Sequence, residues 1–171
     1  MATFKIEAFE YLLSQLCSWQ KEVGDVEKMT KVKALKLLFL VASIPVNGND
    51  LLDVFDKFYA MPFGPVEGDV YEAIMENSLV HYEFDDITLK SQPHKMPIEL
   101  PENLIQKIDA SIEQLKQKDN SLITMSAFDL VEYTHTWTCW QDAMYLARIM
   151  SKNSCLMKVR DIRRDAKEVW V

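Results

Sequence analysis

Tyr59-Ala60-Met61-Pro62-Phe63-Gly64-Pro65-Val66-Glu67-Gly68-Asp69-Val70-Tyr71-Glu72-Ala73-Ile74 is the stretch around which the chain is organised. It holds two of the six prolines and two of the four glycines, set between apolar helical patterns. Each proline fixes φ and biases the preceding residue toward extended geometry, so a helix should not run through Met61 or Gly64. Gly64 is placed to cap the next helix, and Pro65 suits a first helical turn, where a missing N–H costs nothing. Val66, Val70, Ala73 and Ile74 then share one helical face. The spacing predicts a rigid, aromatic-flanked turn that delivers a helix at a fixed angle. None of its side chains is chemically reactive.

Outward from this turn, the composition sets the class. A chain of 171 residues that is 49% hydrophobic can bury one core, and we expect one domain over residues 1–171. The net charge of −7 disfavours a protein whose main task is holding nucleic acid, since that affinity rests on neutralised phosphates. Cys17, Cys139 and Cys155 are widely spaced and form neither a disulfide framework nor a CxxC zinc pair. They point to a reducing compartment. The first residues lack a basic segment followed by an apolar run, and the run Leu37 to Val46 is too short for a bilayer. A cytoplasmic location without membrane contact is the expectation.

Before the turn, Ile6, Phe9, Leu13, Leu16, Trp19 and Val23 recur at helical spacing and Gly24 ends the pattern. Thr30 should cap a second helix, whose broad apolar surface (Val32, Leu35, Leu37 to Ala42) suits the centre of the domain. Pro45 and Asn47-Gly48-Asn49 close it as a turn. Asp50 to Phe58 repeats the helical pattern. After the turn, His81 to Phe84 and Ile87 to Lys90 alternate around Asp85-Asp86 and predict a short β-hairpin that must lean on the helices. The loop from Ser91 to Pro101 precedes an amphipathic helix over Asn103 to Lys118. Ser126 opens a short helix, and Trp140 to Met150 adds another. The tail mixes Lys158, Arg160, Arg163, Arg164 and Lys167 with acids and ends Val169-Trp170-Val171. The fold class is mainly α: a compact bundle of six or seven helices with one small β-hairpin.

Few residues in the sequence fall into catalytic or ligand-binding patterns. His135 lies four residues before Cys139, on one helical face, yet no oxyanion or elbow motif accompanies the pair. His81, His94 and His135 show no metal-ligand spacing, and the few glycines form no phosphate or dinucleotide loop. No catalytic residue, cofactor or metal follows from the sequence. The acidic residues Glu83, Asp85 and Asp86 on the expected hairpin, with no basic helix before it, disfavour a winged-helix DNA reader. What stands out is Tyr133 to Ala143, with His135, Trp137 and Trp140 in eight residues or fewer. These rings can fill a core corner or form a recognition surface, since Trp and Tyr are favoured binding anchors. Trp137, off the Tyr133–Trp140–Met144 side, is the indole expected to face outward.

Three separated motifs then line up. Met29 to Leu40, containing Lys33-Ala34-Leu35-Lys36-Leu37-Leu38-Phe39, resembles a K-L-x-K-L-L-Y helix signature. Phe63-Gly64-Pro65-Val66 with Val70-Tyr71 resembles a Y/F-G-P-V…V-Y turn and helix. His135 with Trp140 and Ala143 resembles a late H-x-x-x-P-W-x-x-A motif. Their order over Met29 to Ala143 is similar to that of the Panacea domain, the SocA-like antitoxin family. Here Cys139 replaces that family's proline before the late Trp, and Phe39 its tyrosine. The resemblance implies a non-catalytic protein that neutralises a cognate protein toxin by direct binding. It also implies an alternative, an adaptor delivering the toxin to an AAA+ protease; a DNA-binding regulator of its own operon is the reading from another class. Candidate partner-binding residues, chosen on side-chain chemistry, are Phe63, Tyr71, His135, Trp137 and Trp140.

Overall fold

The computed structural model describes residues 2–90 and 98–171. Among these residues, seven α-helices pack with one small three-stranded antiparallel sheet of order β2-β1-β3. In chain order they are α1 (Ala2–Glu22), α2 (Lys31–Ser43), β1 (Phe58–Met61), β2 (Gly64–Glu67), α3 (Gly68–Met75), α4 (Glu102–Lys118), α5 (Ala127–His135), α6 (Thr138–Ile149), β3 (Cys155–Leu156) and α7 (Val159–Val169), with a 3-10 turn at Leu122–Thr124. Part of the predicted loop, residues 91–97, lies outside the described residues. None of the helices is long and apolar enough to cross a membrane among the described residues.

The central position expected for α2 is the one it takes. Thr30 caps it by accepting the Lys33 N–H at 3.0 Å, and every residue from Lys33 to Ser43 is buried. α1 lays Phe9, Leu12, Leu13, Leu16 and Trp19 into the same core. It also sends in Glu10, whose buried carboxylate accepts the backbone N–H groups of Val80, His81 and Tyr82. A buried carboxylate is tolerable only with such donors, so Glu10 fixes the segment after α3 against α1. The expected turn after α2 forms at Val46–Asn49, with Asn47 and Gly48 at φ 50° and 80°.

Several expectations need correction. Asp50 to Phe58 is not a helix: one turn closes from Phe55 N–H to Leu51 O, and the chain then extends. The reason is the period-2 burial of Phe58 and Ala60, which pair with the residues after the Pro62-Phe63 turn. The chain's only regular hairpin among the described residues is therefore β1–β2. Gly64, at φ +104°, and Pro65 belong to its second strand, not to a helix start. Glu67 is the true cap of α3, accepting Asp69 and Val70 N–H at 2.8 and 3.3 Å. The hairpin expected around Asp85-Asp86 shrinks to a turn with one bridge, Phe84 to Leu89, and spends its remaining pairing on Met29 to Lys31. The basic tail is a helix, and its last aromatic docks: Trp170 is buried, with Nε1 3.3 Å from Ser43 Oγ.

Candidate functional site

The three motifs meet at β2. In the register Met61↔Gly64, Ala60↔Pro65, Tyr59↔Val66, the two-residue loop makes Met61–Gly64 a bonded pair. Alternation along an antiparallel ladder then leaves Pro65 in a non-bonded pair, its backbone turned away from β1. That position suits proline, which has no N–H to offer an outer edge. Its carbonyl is caught by α2: Lys36 Nζ donates to Pro65 O at 2.8 Å. Lys36 is only 1% exposed, and burial pushes its amine down to about 7. The sheet edge is thus closed by a buried lysine side chain from the first motif.

Gly64 shows why the contact needs glycine. A Cβ there would lie 2.7 Å from Thr134 Oγ1 and 3.0 and 3.1 Å from Lys36 Cε and Nζ. Thr134 belongs to α5, next to His135 of the third motif. Trp140, on α6, donates its Nε1 to Met61 O at 2.9 Å, gripping the other end of the hairpin. His135 stacks on the Trp140 ring, with centroids 4.0 Å apart and planes 14° from parallel. The His135 carbonyl accepts Gln141 Nε2 at 2.8 Å. Three helices therefore hold one hairpin from behind, by two hydrogen bonds and one close backbone approach.

What the grip presents is Phe63. It sits at the hairpin tip and is 73% exposed, close to the 70% of Phe128 on α5. Tyr71, on α3, is 37% exposed. Trp140 is buried and His135 half-buried, so both support the hairpin rather than project from it. Trp137 does not face outward: it is 1% exposed and meets Phe39 edge-on at 4.8 Å and Trp170 at 6.1 Å. Its ring is at the N-cap of α6, where the chain reverses into the core, so the helical-wheel reading of its direction does not apply. Two groups here, His135 Nε2 and Trp137 Nε1, are buried without a hydrogen-bond partner among the described residues.

The same geometry settles the Cys139–His135 question on the thiol side. Cys139 is buried in the first turn of α6, and Asp165 from α7 accepts its backbone N–H as a cap from another helix. Burial first, and then the Asp165 carboxylate, push the thiol far above its ordinary range, the reverse of what a nucleophile needs. A cation is already present at the one tight carboxylate group among the described residues. Asp56, Glu67 and Asp69 have oxygens within 4.8 Å of one another, and Lys5 Nζ lies among them at 2.6, 2.9 and 2.7 Å. Burial alone would lower the Lys5 pKa, but its three carboxylate bonds outweigh it and hold the amine well above its ordinary value. This node ties α1 to the root of the hairpin and to α3. Sequence reading missed both lysines, since a lysine on an apolar helix face gives no sign of which backbone or carboxylate it will reach.

The arrangement defines a mainly α domain in which a braced hairpin displays an aromatic tip. A family model described as antitoxin SocA-like, Panacea domain, matches residues 35–141, from within α2 to the first turn of α6. The match covers more than half of the chain, which belongs to this family. Comparison with curated proteins and with solved structures gave no match.

Proposed function

We propose that this chain neutralises a cognate protein toxin by direct, non-catalytic contact, made by the hairpin tip at Phe63 and by Tyr71 on α3. The observation that carries the reading is the exposed Phe63 on a hairpin fixed from three sides. An aromatic anchor held in one conformation loses little entropy on binding, which is what affinity for a protein surface requires. His135 and Trp140 act behind it, setting the height and tilt of the tip through Met61 O. Trp137 contributes as the core wedge on which that support rests.

The partner-facing stretch also has a charge. Beside Tyr71, Glu72 on α3 and Glu76 at its C-cap are exposed and make no ion pair among the described residues, so a toxin surface of basic character is the match. The test is co-expression with the neighbouring open reading frame. Growth arrest by the neighbour alone, growth with both, and a complex that co-purifies is the expected result. Rescue accompanied by disappearance of the toxin, with no complex, would instead favour delivery to a protease. A neighbour that is harmless, or an arrest this chain does not relieve, would remove the reading.

A further inference from the structure

The chain carries a second unpartnered surface, at the opposite charge. Residues 142–171 hold seven Lys and Arg against four Asp and Glu, Arg163 being taken up by Asp50 and Asp53, on a molecule whose overall charge is −7. At the centre of this surface is the outward side of α6. Tyr145, Leu146, Ile149 and Met150 are exposed by 66, 48, 62 and 52%. Tyr145–Ile149 and Leu146–Met150 are i,i+4 pairs, so the four form two adjacent rows on one helix face. Inward, Trp140, Met144 and Ala147 already meet the core, so this second apolar stripe is surplus to folding.

Beside it runs an open strand edge. α6 packs on β3, which pairs with β1 through Tyr59↔Leu156 and Ala60↔Cys155. Met157 N–H donates to Phe58 O at 2.8 Å, so the residues on either side of Leu156 use their backbone on β1. By alternation, Leu156 turns its own N–H and C=O away from β1, where the C=O accepts the Cys155 thiol at 3.6 Å, and its side chain is 51% exposed. Arg148 on α6 and Lys152 and Lys158 on either side of β3 are exposed and make no ion pair among the described residues, while Asp142, exposed three and four residues before Tyr145 and Leu146, is the acid on the same helix face. Arg160 and Arg164, by contrast, share Asp161.

We propose that the α6–β3 face docks an acidic, apolar, extended segment of a partner protein. Apolar residues of the segment would cover the two rows on α6, its carboxylates would meet Arg148, Lys152 and Lys158, and its backbone would pair at Leu156. The density of large apolar side chains favours a polypeptide over nucleic acid, whose backbone offers no apolar surface to cover them. This surface is separate from Phe63 and Tyr71 in sequence and opposite to their surroundings in charge, and it does not depend on the toxin reading.

The experiment is a selection of random twelve-residue displayed peptides on the full chain, with a parallel selection on the double variant Leu146→Glu/Ile149→Glu. Both positions are exposed, and far-UV circular dichroism checks that the variant is folded. The expected result is a set of peptides, lost on the variant, that are enriched in Asp and Glu together with large apolar residues. Their affinity should fall about tenfold or more for Lys152→Glu/Lys158→Glu, and likewise between low and high salt. Enrichment of basic peptides, or no peptide lost on the variant, overturns the proposal. So does sedimentation showing that the wild-type chain self-associates and the variant does not, which would make a second copy the occupant. A labelled twelve-nucleotide RNA that binds the wild type and not Lys152→Glu/Lys158→Glu would overturn it in favour of nucleic acid.

Discussion

Replacing Lys36 by Met should change how the stability of the domain depends on pH. In the fold the Lys36 amine is buried against Pro65 O, and burial lowers its pKa to about 7. In the unfolded chain the same amine titrates at about 10.4. Between these values the unfolded chain binds the additional proton, so wild-type stability rises with pH across that window through this group. Integrating from pH 7.5 to 9.5 gives about 2.5 kcal/mol. Other groups titrate there too, Cys17 and Cys139 among them with the opposite sign, because burial raises both thiols. They are common to both proteins and cancel in the difference. Urea unfolding of wild type and Lys36→Met at several pH values therefore isolates the lysine. The wild type should gain about 2.5 kcal/mol on the variant from pH 7.5 to 9.5. Curves that stay parallel would mean that Lys36 keeps its ordinary ionisation, and the buried, edge-closing role given to it would be wrong.

Further outcomes follow from the same contacts. Trp137→Ala should cost about 3–5 kcal/mol in urea unfolding, as a fully buried ring lost from the junction of α2, α6 and α7, while Phe63→Ala should stay within about 0.5 kcal/mol of wild type. Gly64→Ala should cost about 2 kcal/mol or more, because φ +104° and the 2.7 Å approach of Thr134 Oγ1 leave no room for a methyl group. In the native protein at pH 8, mass spectrometry after brief iodoacetamide treatment should find Cys155 alkylated and Cys139 untouched, with Cys139 reacting only on unfolding. Lys5→Met should destabilise the domain at neutral pH and recover part of the loss below about pH 5, since Asp56, Glu67 and Asp69 then share protons rather than repel.

The helical framework was legible because its signals are local. Thr30 and Ser126 cap the helices they precede, and the apolar width of α2 marks it as central. The sheet was less legible. Pro62, Gly64 and Pro65 marked a turn correctly, but Gly64-Pro65 can open a helix or lie on an outer strand, and the choice is made by Lys36, 29 residues away. The stretch around Asp85-Asp86 alternates as well as β1 does, yet it keeps only one bridge of its own, Phe84 to Leu89, and its return segment also pairs with Met29 to Lys31. Of the five candidate residues, Phe63 and Tyr71 are where a partner can reach them, and His135 and Trp140 stand behind the hairpin. Trp137 was misplaced because helical periodicity was applied to an N-cap residue, whose backbone is extended at ψ 125°. The helical tail was hidden by its charge: only Ile162 and Ala166 mark its buried side, and Asp165 gives no sign in sequence that it will cap α6.

The hairpin tip and α3 are proposed to make the contact with the toxin. The direct measurement is co-purification of the toxin with Phe63→Asp/Tyr71→Asp, alongside the thermal midpoint of the variant. An unchanged midpoint with loss of the complex and of growth rescue is the predicted result. A variant that retains the complex and restores growth as the wild type does would contradict it.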